Sequence, residues 1–266
     1  MKRLLLAFGL SAALTGCAQK VVPPVETPAA APSSTPAPAP TAQIEPQQDP
    51  APAAAEPANT TPASSTAPGK PIPSKWIADR HYQLILPAQG TDAGPGQVEI
   101  IEFMWLGCPH CYELNPYIEA WKKKLPPYVK FRQEHIVWDA GKTAHARLFY
   151  TLEVLGRSDE LIPKAFDEIH RKNNLLAGNS EAATEEIQET FAAANGINPA
   201  DYKREATGFA VNTHLQRANQ LMRQYRIDSV PNFIVNGKYR TDVGMAGAPA
   251  QLIELLNDLA ASEKGR

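Results

Sequence analysis

The sequence predicts an α/β domain whose sheet is interrupted by a block of helices. Three observations predict this class: a strand–helix–strand pattern before residue 138, several helical patterns over 142–225, and a strand hairpin with a closing helix after residue 231. A strand–helix–strand pattern of about 40 residues is typical of two parallel strands joined by a crossover helix.

The first part of the domain carries three strand signals and one helix signal. The strand patterns occupy residues 82–86, 98–104 and 129–137. The second pattern is mostly apolar with Glu102 in its middle, which predicts a buried central strand. Apolar residues recur at helical spacing after Pro109, and a proline pair that begins at Pro126 ends this helix.

The second part begins with helices and returns to strands. An Asn-Pro pair at 198–199 has the residue types of an N-cap and a first helical position. Strand signals resume over 232–240 around an Asn-Gly pair at 236–237, which is a strong hairpin signal. A last helix is predicted to begin at Pro249.

Composition separates a tether from a globular domain. Of the 25 prolines, 15 lie in residues 18–75, a segment with almost no bulky apolar side chain. Such a segment cannot form a core and favours extended conformations, so we predict a disordered tether over 17–75 and a single globular core after it. The 26 basic residues nearly balance the 28 acidic ones, which argues against a nucleic-acid-binding protein.

The N-terminus has the pattern of an export signal. A basic start at residues 1–3 precedes an apolar run at 4–14, which is too short to span a bilayer. Residues 14–17 resemble the lipobox of bacterial lipoproteins, which implies a signal peptide over 1–16 and a lipid anchor on Cys17. Because Ala18 follows, this resemblance favours the outer membrane. The alternative is an ordinary signal peptide with a chance cysteine.

Cys108 and Cys111 form the one close cysteine pair of the chain. A structural zinc site needs four ligands, and neither a second cysteine pair nor a short-spaced histidine pair is present, so we predict no metal site. Two inert core cysteines are a further alternative. The pair instead stands between a strand and a helix, which favours a redox-active dithiol.

The spacing explains how a dithiol would work. Cys108 at a helix N-terminus would face unpaired N–H groups and the positive end of the helix dipole, which favour its thiolate. Cys111, one turn later, can resolve a mixed disulfide. Pro109 suits the first helical turn, and His110 can add a donor or a positive charge. A stabilised thiolate favours the reduced protein and makes its disulfide a better oxidant.

Two segments, EFMWLGCPHCY at 102–112 and VPNFIVNGKY at 230–239, closely resemble DsbA-type thiol–disulfide oxidoreductases. The resemblance covers residues 76–262 and implies a thioredoxin fold, with a central mixed sheet split into 76–141 and 226–266 around a helical subdomain at 142–225. It implies export to the periplasm and donation of the Cys108–Cys111 disulfide, with no other cofactor, to newly exported proteins. It also implies re-oxidation by an inner-membrane, quinone-linked, DsbB-like protein.

The resemblance assigns further residues. Pro231 matches a cis-proline that faces the dithiol, and the backbone of Val230 is expected to pair with substrate. Glu102 matches a buried acid that could relay protons toward Cys111, although a solvated edge position remains open. Asn115 and Gln133 replace charged residues of the family, so the charge network around this acid is altered.

Two other functions remain open at this point. A reductase or isomerase could use the same scaffold, although no dimerisation segment is evident and we expect a monomer. A non-catalytic scaffold lipoprotein could bind extended peptides near Pro231 and leave the cysteines idle.

Overall fold

The computed structural model describes residues 70–265, which belong to one compact unit. The predicted signal peptide, Cys17 and residues 17–69 of the tether lie outside the described residues. Within the described range, no helix combines the length and the apolar character needed to cross a bilayer.

A mixed sheet forms the centre of the described unit. Its strands are β1 (Gln83–Leu84), β2 (Val98–Met104), β3 (Val129–His135), β4 (Asn232–Val235) and β5 (Tyr239–Thr241). They lie in the order β1-β5-β4-β2-β3, with β2 parallel to β3 and antiparallel to β4. Every residue of β2 is buried, as the apolar run predicted.

Helices surround this sheet and also form the block between β3 and β4. They are α1 (Pro109–Lys122), α2 (Ala140–Val154), α3 (Ser158–His170), α4 (Glu181–Ala194), α5 (Pro199–Ala206), α6 (Phe209–Gln224), α7 (Val243–Ala246) and α8 (Pro249–Glu263). Side chains cap several N-termini: Asp139, Ser180 and Asn198 accept backbone N–H bonds at the starts of α2, α4 and α5. The predicted fold class, a thioredoxin fold with inserted helices, is confirmed.

Three elements differ from the sequence expectation, and one of them is β3, which ends at His135 and not at the predicted residue 137. The first strand is shorter than the predicted 82–86, because Tyr82 forms an isolated bridge with Ala78 and only Gln83 and Leu84 pair with β5. The short helix α7 was not predicted. It forms because the Asp242 carboxylate accepts the Met245 N–H at 2.8 Å and caps it.

The globular unit begins before Trp76, the predicted start of the domain. The Lys70 N–H donates to the Ala261 carbonyl at 3.2 Å, and Ile72 packs against the core formed with α8. The Trp76 indole donates to Asp258 at 2.7 Å. Residues 70–75 contact the domain because an apolar side chain and two lysines interrupt the Pro/Ala composition there.

The two faces of β2 meet different helices, because successive strand residues point to opposite sides. Val98 and Ile100 pack with residues of α1 and α8, whereas Ile101 and Phe103 pack with the end of α6. The C-terminal end of β2 leads into α1, which has Cys108 as its N-cap and contains Cys111.

Candidate active site

The dithiol lies where β2 passes into α1. Cys108 is the N-cap of α1 with extended backbone angles (φ −85°, ψ 119°), and Pro109 is the first helical residue. The Cys108 sulfur accepts the Cys111 N–H at 3.4 Å. Both cysteines are free thiols, and Cys108 is 6% exposed whereas Cys111 is 1% exposed. The structure therefore describes the reduced pair, with Cys108 as the more accessible sulfur.

The surroundings of Cys108 favour its thiolate. The pKa of Cys108 is lowered to about 6, and a hydrogen bond from the Cys111 thiol is the largest single cause. Burial opposes this shift, while the backbone N–H groups of Cys111 and His110 and the charge of His110 support it. Sequence reasoning considered the helix N–H groups and His110 but not the Cys111 thiol.

The surroundings of Cys111 favour its protonated thiol. Burial raises the pKa of Cys111 well above its usual value, and the neighbouring charges of Cys108 and Glu102 act in the same direction. The two sulfurs thus differ in charge, with a thiolate at the helix cap and a thiol beneath it.

Glu102 is buried in the central strand, which excludes the solvated edge position. It is 2% exposed and accepts a hydrogen bond from the Gln133 amide of β3 at 2.8 Å. Burial raises the pKa of Glu102 to about 7, against the lowering effect of Gln133. An acid with this pKa changes protonation near neutral pH, the range in which a proton relay would operate.

The charged neighbours of Gln133 do not take part in this pair. Arg132 donates to Glu99 at 3.1 Å and forms an ion pair with Glu134. Glu134 also accepts the Tyr150 hydroxyl at 2.8 Å. Because strand residues alternate between faces, these groups lie on the side of β3 opposite Gln133. Gln133 is therefore the β3 residue that contacts Glu102, and the charge of Lys122 on α1 also acts to lower the pKa of Glu102.

The loop that precedes β4 faces the dithiol. The Val230–Pro231 peptide bond is cis, and the Cys108 thiol lies 3.6 Å from the Val230 carbonyl oxygen. His110 is largely exposed, and its Nδ1 lies 3.5 Å from a carboxylate oxygen of Glu113. Six of the predicted site residues therefore lie close together, with Glu102 beneath them. They are Cys108, Pro109, His110, Cys111, Val230 and Pro231.

A groove of about 370 Å³ borders the dithiol. Its lining includes His110 and Glu113 of α1, the Val230–Pro231 loop and Asp242 beside α7. The groove is open to solvent and lies between the first turns of α1 and the cis-proline loop.

Sequence reasoning assigned His135 a structural role within its strand, but it did not predict the set of contacts behind the dithiol. Trp105, His135, His145 and His170 make hydrogen bonds within or to the segment just before Cys108. The three histidines come from β3, α2 and α3, and their separation in sequence gave no signal of convergence. Across residues 70–265, no cluster of three or more potential metal ligands is present.

Comparison with known proteins identifies relatives of this arrangement. The thiol:disulfide interchange protein DsbA of Azotobacter vinelandii is 36% identical over 179 residues, which are 67% of this chain and 81% of that protein. The DsbA of Pseudomonas aeruginosa is 33% identical over 170 residues, 64% of this chain and 78% of that protein. No family model matches the chain.

Solved structures that resemble this chain are also DsbA proteins. The crystal structure of Pseudomonas aeruginosa DsbA is similar with a TM-score of 0.66 and 31% identity, and the match covers 71% of this chain and 95% of that one. DsbA of Xylella fastidiosa, at 22% identity and a TM-score of 0.63, shares the fold. The chain is a thiol:disulfide oxidoreductase and belongs to the DsbA family.

Proposed function

We propose that this protein is a periplasmic dithiol oxidase that donates the Cys108–Cys111 disulfide to newly exported proteins, without another cofactor. The observation that carries the proposal is the unequal pair of sulfurs: the pKa of Cys108 is lowered to about 6, whereas that of Cys111 is raised. A stable Cys108 thiolate is a good leaving group, which favours transfer of the disulfide away from this protein.

The first step is attack on the oxidised protein by a substrate thiolate. A bond forms between the substrate sulfur and Cys108, and the Cys108–Cys111 bond breaks with its electron pair on Cys111. Attack falls on Cys108 because Cys111 is buried. Burial also makes the Cys111 thiolate unstable, so it takes up a proton, and we assign Glu102 as the group through which that proton passes.

The second step releases the product. A second substrate thiolate attacks its own sulfur in the mixed disulfide, and Cys108 leaves as a thiolate. The substrate loses two electrons and two protons and gains one disulfide. The protein gains the two electrons and one proton, on Cys111, while the other proton goes to solvent because Cys108 stays ionised above about pH 6.

The cis-proline loop supplies the contact with substrate. The Val230 carbonyl is 3.6 Å from the Cys108 thiol, so a chain bound to Cys108 would lie within reach of the Val230 backbone. We assign Val230 and Pro231 to the binding of extended substrate segments, and Pro109 and His110 to tuning of the Cys108 thiolate. Re-oxidation of the dithiol is assigned to a quinone-linked DsbB-like protein of the inner membrane.

The N-terminal segment supports a membrane-anchored form. We propose a signal peptide over 1–16, a lipid on Cys17, a Pro/Ala-rich tether before the domain, and attachment to the outer membrane, with the protein a monomer. Replacing Cys17→Ser should move the protein from the membrane fraction to the soluble periplasmic fraction. Continued membrane association of that variant would refute the anchor.

The oxidase proposal is tested with a reduced, unfolded secreted protein as substrate. The oxidised chain should remove substrate thiols stoichiometrically and, with an added oxidant, catalytically, whereas Cys108→Ser should be inactive. Fold recovery without any loss of substrate thiols, or activity that survives Cys108→Ser, would favour the scaffold function instead. Faster reduction of a native disulfide than oxidation of thiols would favour a reductase.

A further inference from the structure

The peptide groups of Leu106, two residues before Cys108, are held on both sides by imidazoles. The Leu106 N–H donates to Nε2 of His135 at 3.1 Å. The Leu106 carbonyl lies 2.8 Å from Nε2 of His170, which is the donor because a carbonyl can only accept. His135 belongs to β3 and His170 ends α3, so the thioredoxin part and the helical block each supply one contact.

The ring of His135 can serve as an acceptor at all working pH values. Its Nδ1 lies 2.8 Å from the Ile136 carbonyl, so the proton is on Nδ1 and the lone pair is on Nε2. The ring is fully buried, and burial lowers the pKa of His135 to about 3. The neutral ring therefore keeps its bond to the Leu106 N–H.

A third imidazole holds the side chain that precedes Leu106. The Trp105 indole donates to Nδ1 of His145 at 2.9 Å, and Nε2 of His145 donates to the Leu175 carbonyl at 2.7 Å. The indole lies across Gly107, where a Cβ atom would stand 2.4 Å from the ring. This chain of bonds therefore ties the residue before Leu106 to α2 and to the segment after α3.

That turn sets the position of Cys108. The Cys108 N–H donates to the Trp105 carbonyl at 2.9 Å, which closes a turn over residues 105–108. Leu106 is the second residue of this turn, so its peptide groups fix the turn's orientation. The same turn leads into the extended backbone that Cys108 needs as N-cap, with its sulfur 3.4 Å from the Cys111 N–H.

We propose that His170, together with His135, is a positioning residue for the dithiol: it holds the Leu106 carbonyl so that Cys108 keeps the N-cap geometry that stabilises its thiolate. The proposal rests on the proposed function, in which Cys108 is the reactive sulfur. It gives the helical block a direct role in the chemistry of a dithiol that lies in the thioredoxin part.

Packing alone would not need the nitrogen of His170. Its ring stacks on Tyr112 with centroids 4.8 Å apart and planes at 10°, and it also contacts Phe166. A phenylalanine could make these ring contacts equally well, but it would leave the Leu106 carbonyl without its donor. Stacking and hydrogen bonding can therefore be separated by substitution.

The test compares two substitutions of His170 with a matched control. His170→Phe keeps a ring against Tyr112 without a donor, whereas His170→Gln keeps a donor at the position of Nε2 without a ring. The control is His214→Phe, because His214 stacks on Tyr150 in the same way, with centroids 5.1 Å apart and planes at 14°. The full chain, with Cys17→Ser in every variant, is equilibrated with reduced and oxidised glutathione, and Cys108 is titrated by thiolate absorbance.

We expect His170→Phe to raise the pKa of Cys108 and to shift the glutathione equilibrium about two- to tenfold toward the protein disulfide, the range set by one hydrogen bond. His170→Gln and His214→Phe should stay within twofold of the wild type. The proposal is overturned if His170→Phe leaves both quantities unchanged, or if either of the other variants shifts them equally. A wild type that fails to exchange with glutathione would refute the proposed function, while the titration would still decide the role of His170.

Discussion

The acidity of Cys108 depends most on a proton that belongs to Cys111, and this dependence can be tested by removing the donor. Cys111→Ala abolishes the thiol hydrogen bond that contributes most to lowering the pKa of Cys108. Cys111→Ser keeps a donor of similar size. The helix N–H groups and His110 are unchanged in both variants, so the comparison isolates the side-chain bond.

The magnitude follows from the strength of a bond to a charged acceptor. A hydrogen bond to an ionised group contributes roughly 1.5–3 kcal/mol, and about 1.4 kcal/mol corresponds to one pKa unit. We therefore expect Cys111→Ala to raise the pKa of Cys108 from about 6 by about one to two units. At pH 7 the thiolate fraction should fall from about nine-tenths to about half or less.

The assay is ultraviolet thiolate absorbance of the reduced protein against pH, with Cys17→Ser in every variant so that Cys108 alone titrates near neutrality. Cys111→Ser should titrate within about half a unit of the reduced wild type. If Cys111→Ala titrated together with Cys111→Ser, the thiol bond would not be the main cause. The low pKa would then come from the helix N-terminus and His110.

Three further predictions concern the same site. The redox potential should fall by about 30 mV per pH unit above pH 6 and by about 60 mV per pH unit below it, because Cys108 binds a proton only below its pKa of about 6. Glutathione equilibria measured over this pH range would show the change of slope. Glu102→Gln should stabilise the reduced protein at pH 8 by on the order of 3 kcal/mol and have little effect at pH 4, measured by urea unfolding. Gly107→Ala should reduce the free energy of unfolding by about 1–3 kcal/mol, and Trp105→Ala should relieve much of that loss, measured as a double-mutant cycle.

The sign for Glu102 follows from its raised pKa. The folded protein holds this proton up to about pH 7, whereas the pKa of an unperturbed glutamate is 4.5. The stability of the wild type therefore declines as pH rises through this window, and the glutamine variant lacks that decline. If the unfolding free energies of the wild type and the Glu102→Gln variant changed with pH in parallel, the raised pKa of Glu102 would be contradicted. If the redox potential changed with pH at one constant slope, the low pKa of Cys108 would be contradicted.

Sequence patterns predicted the elements that carry strong periodicity or clear end signals. The apolar run at 98–104 matches β2, and the Asn-Pro pair at 198–199 marks the start of α5. The same reasoning missed α7, because four helical residues show no periodicity and one carboxylate at Asp242 provides its cap. Short elements of this kind depend on single hydrogen bonds and not on a repeating pattern.

Residue spacing predicted the surroundings of the dithiol where contacts are local in sequence, and the facing Val230–Pro231 loop was predicted by resemblance alone. The N-cap position of Cys108 and the first-turn position of Pro109 follow from spacing alone. The partner of Glu102 does not, because the pairing of Glu102 with Gln133 is fixed by the register of two strands. The convergence of His145 and His170 on residues 105–106 requires the packing of the inserted helices against the sheet.

The two pKa shifts at the dithiol have a common origin in the buried face of α1. Cys111 can donate to Cys108 only while it keeps its proton, and its burial on the same face as Leu114 and Ile118 raises its pKa and so secures that proton. Burial therefore favours the arrangement in which Cys111 is the donor and Cys108 is the thiolate. A polar substitution of Leu114 that hydrated Cys111 should lower the pKa of Cys111 and raise that of Cys108 together. Movement of the two values in the same direction would show that the sulfurs are set independently.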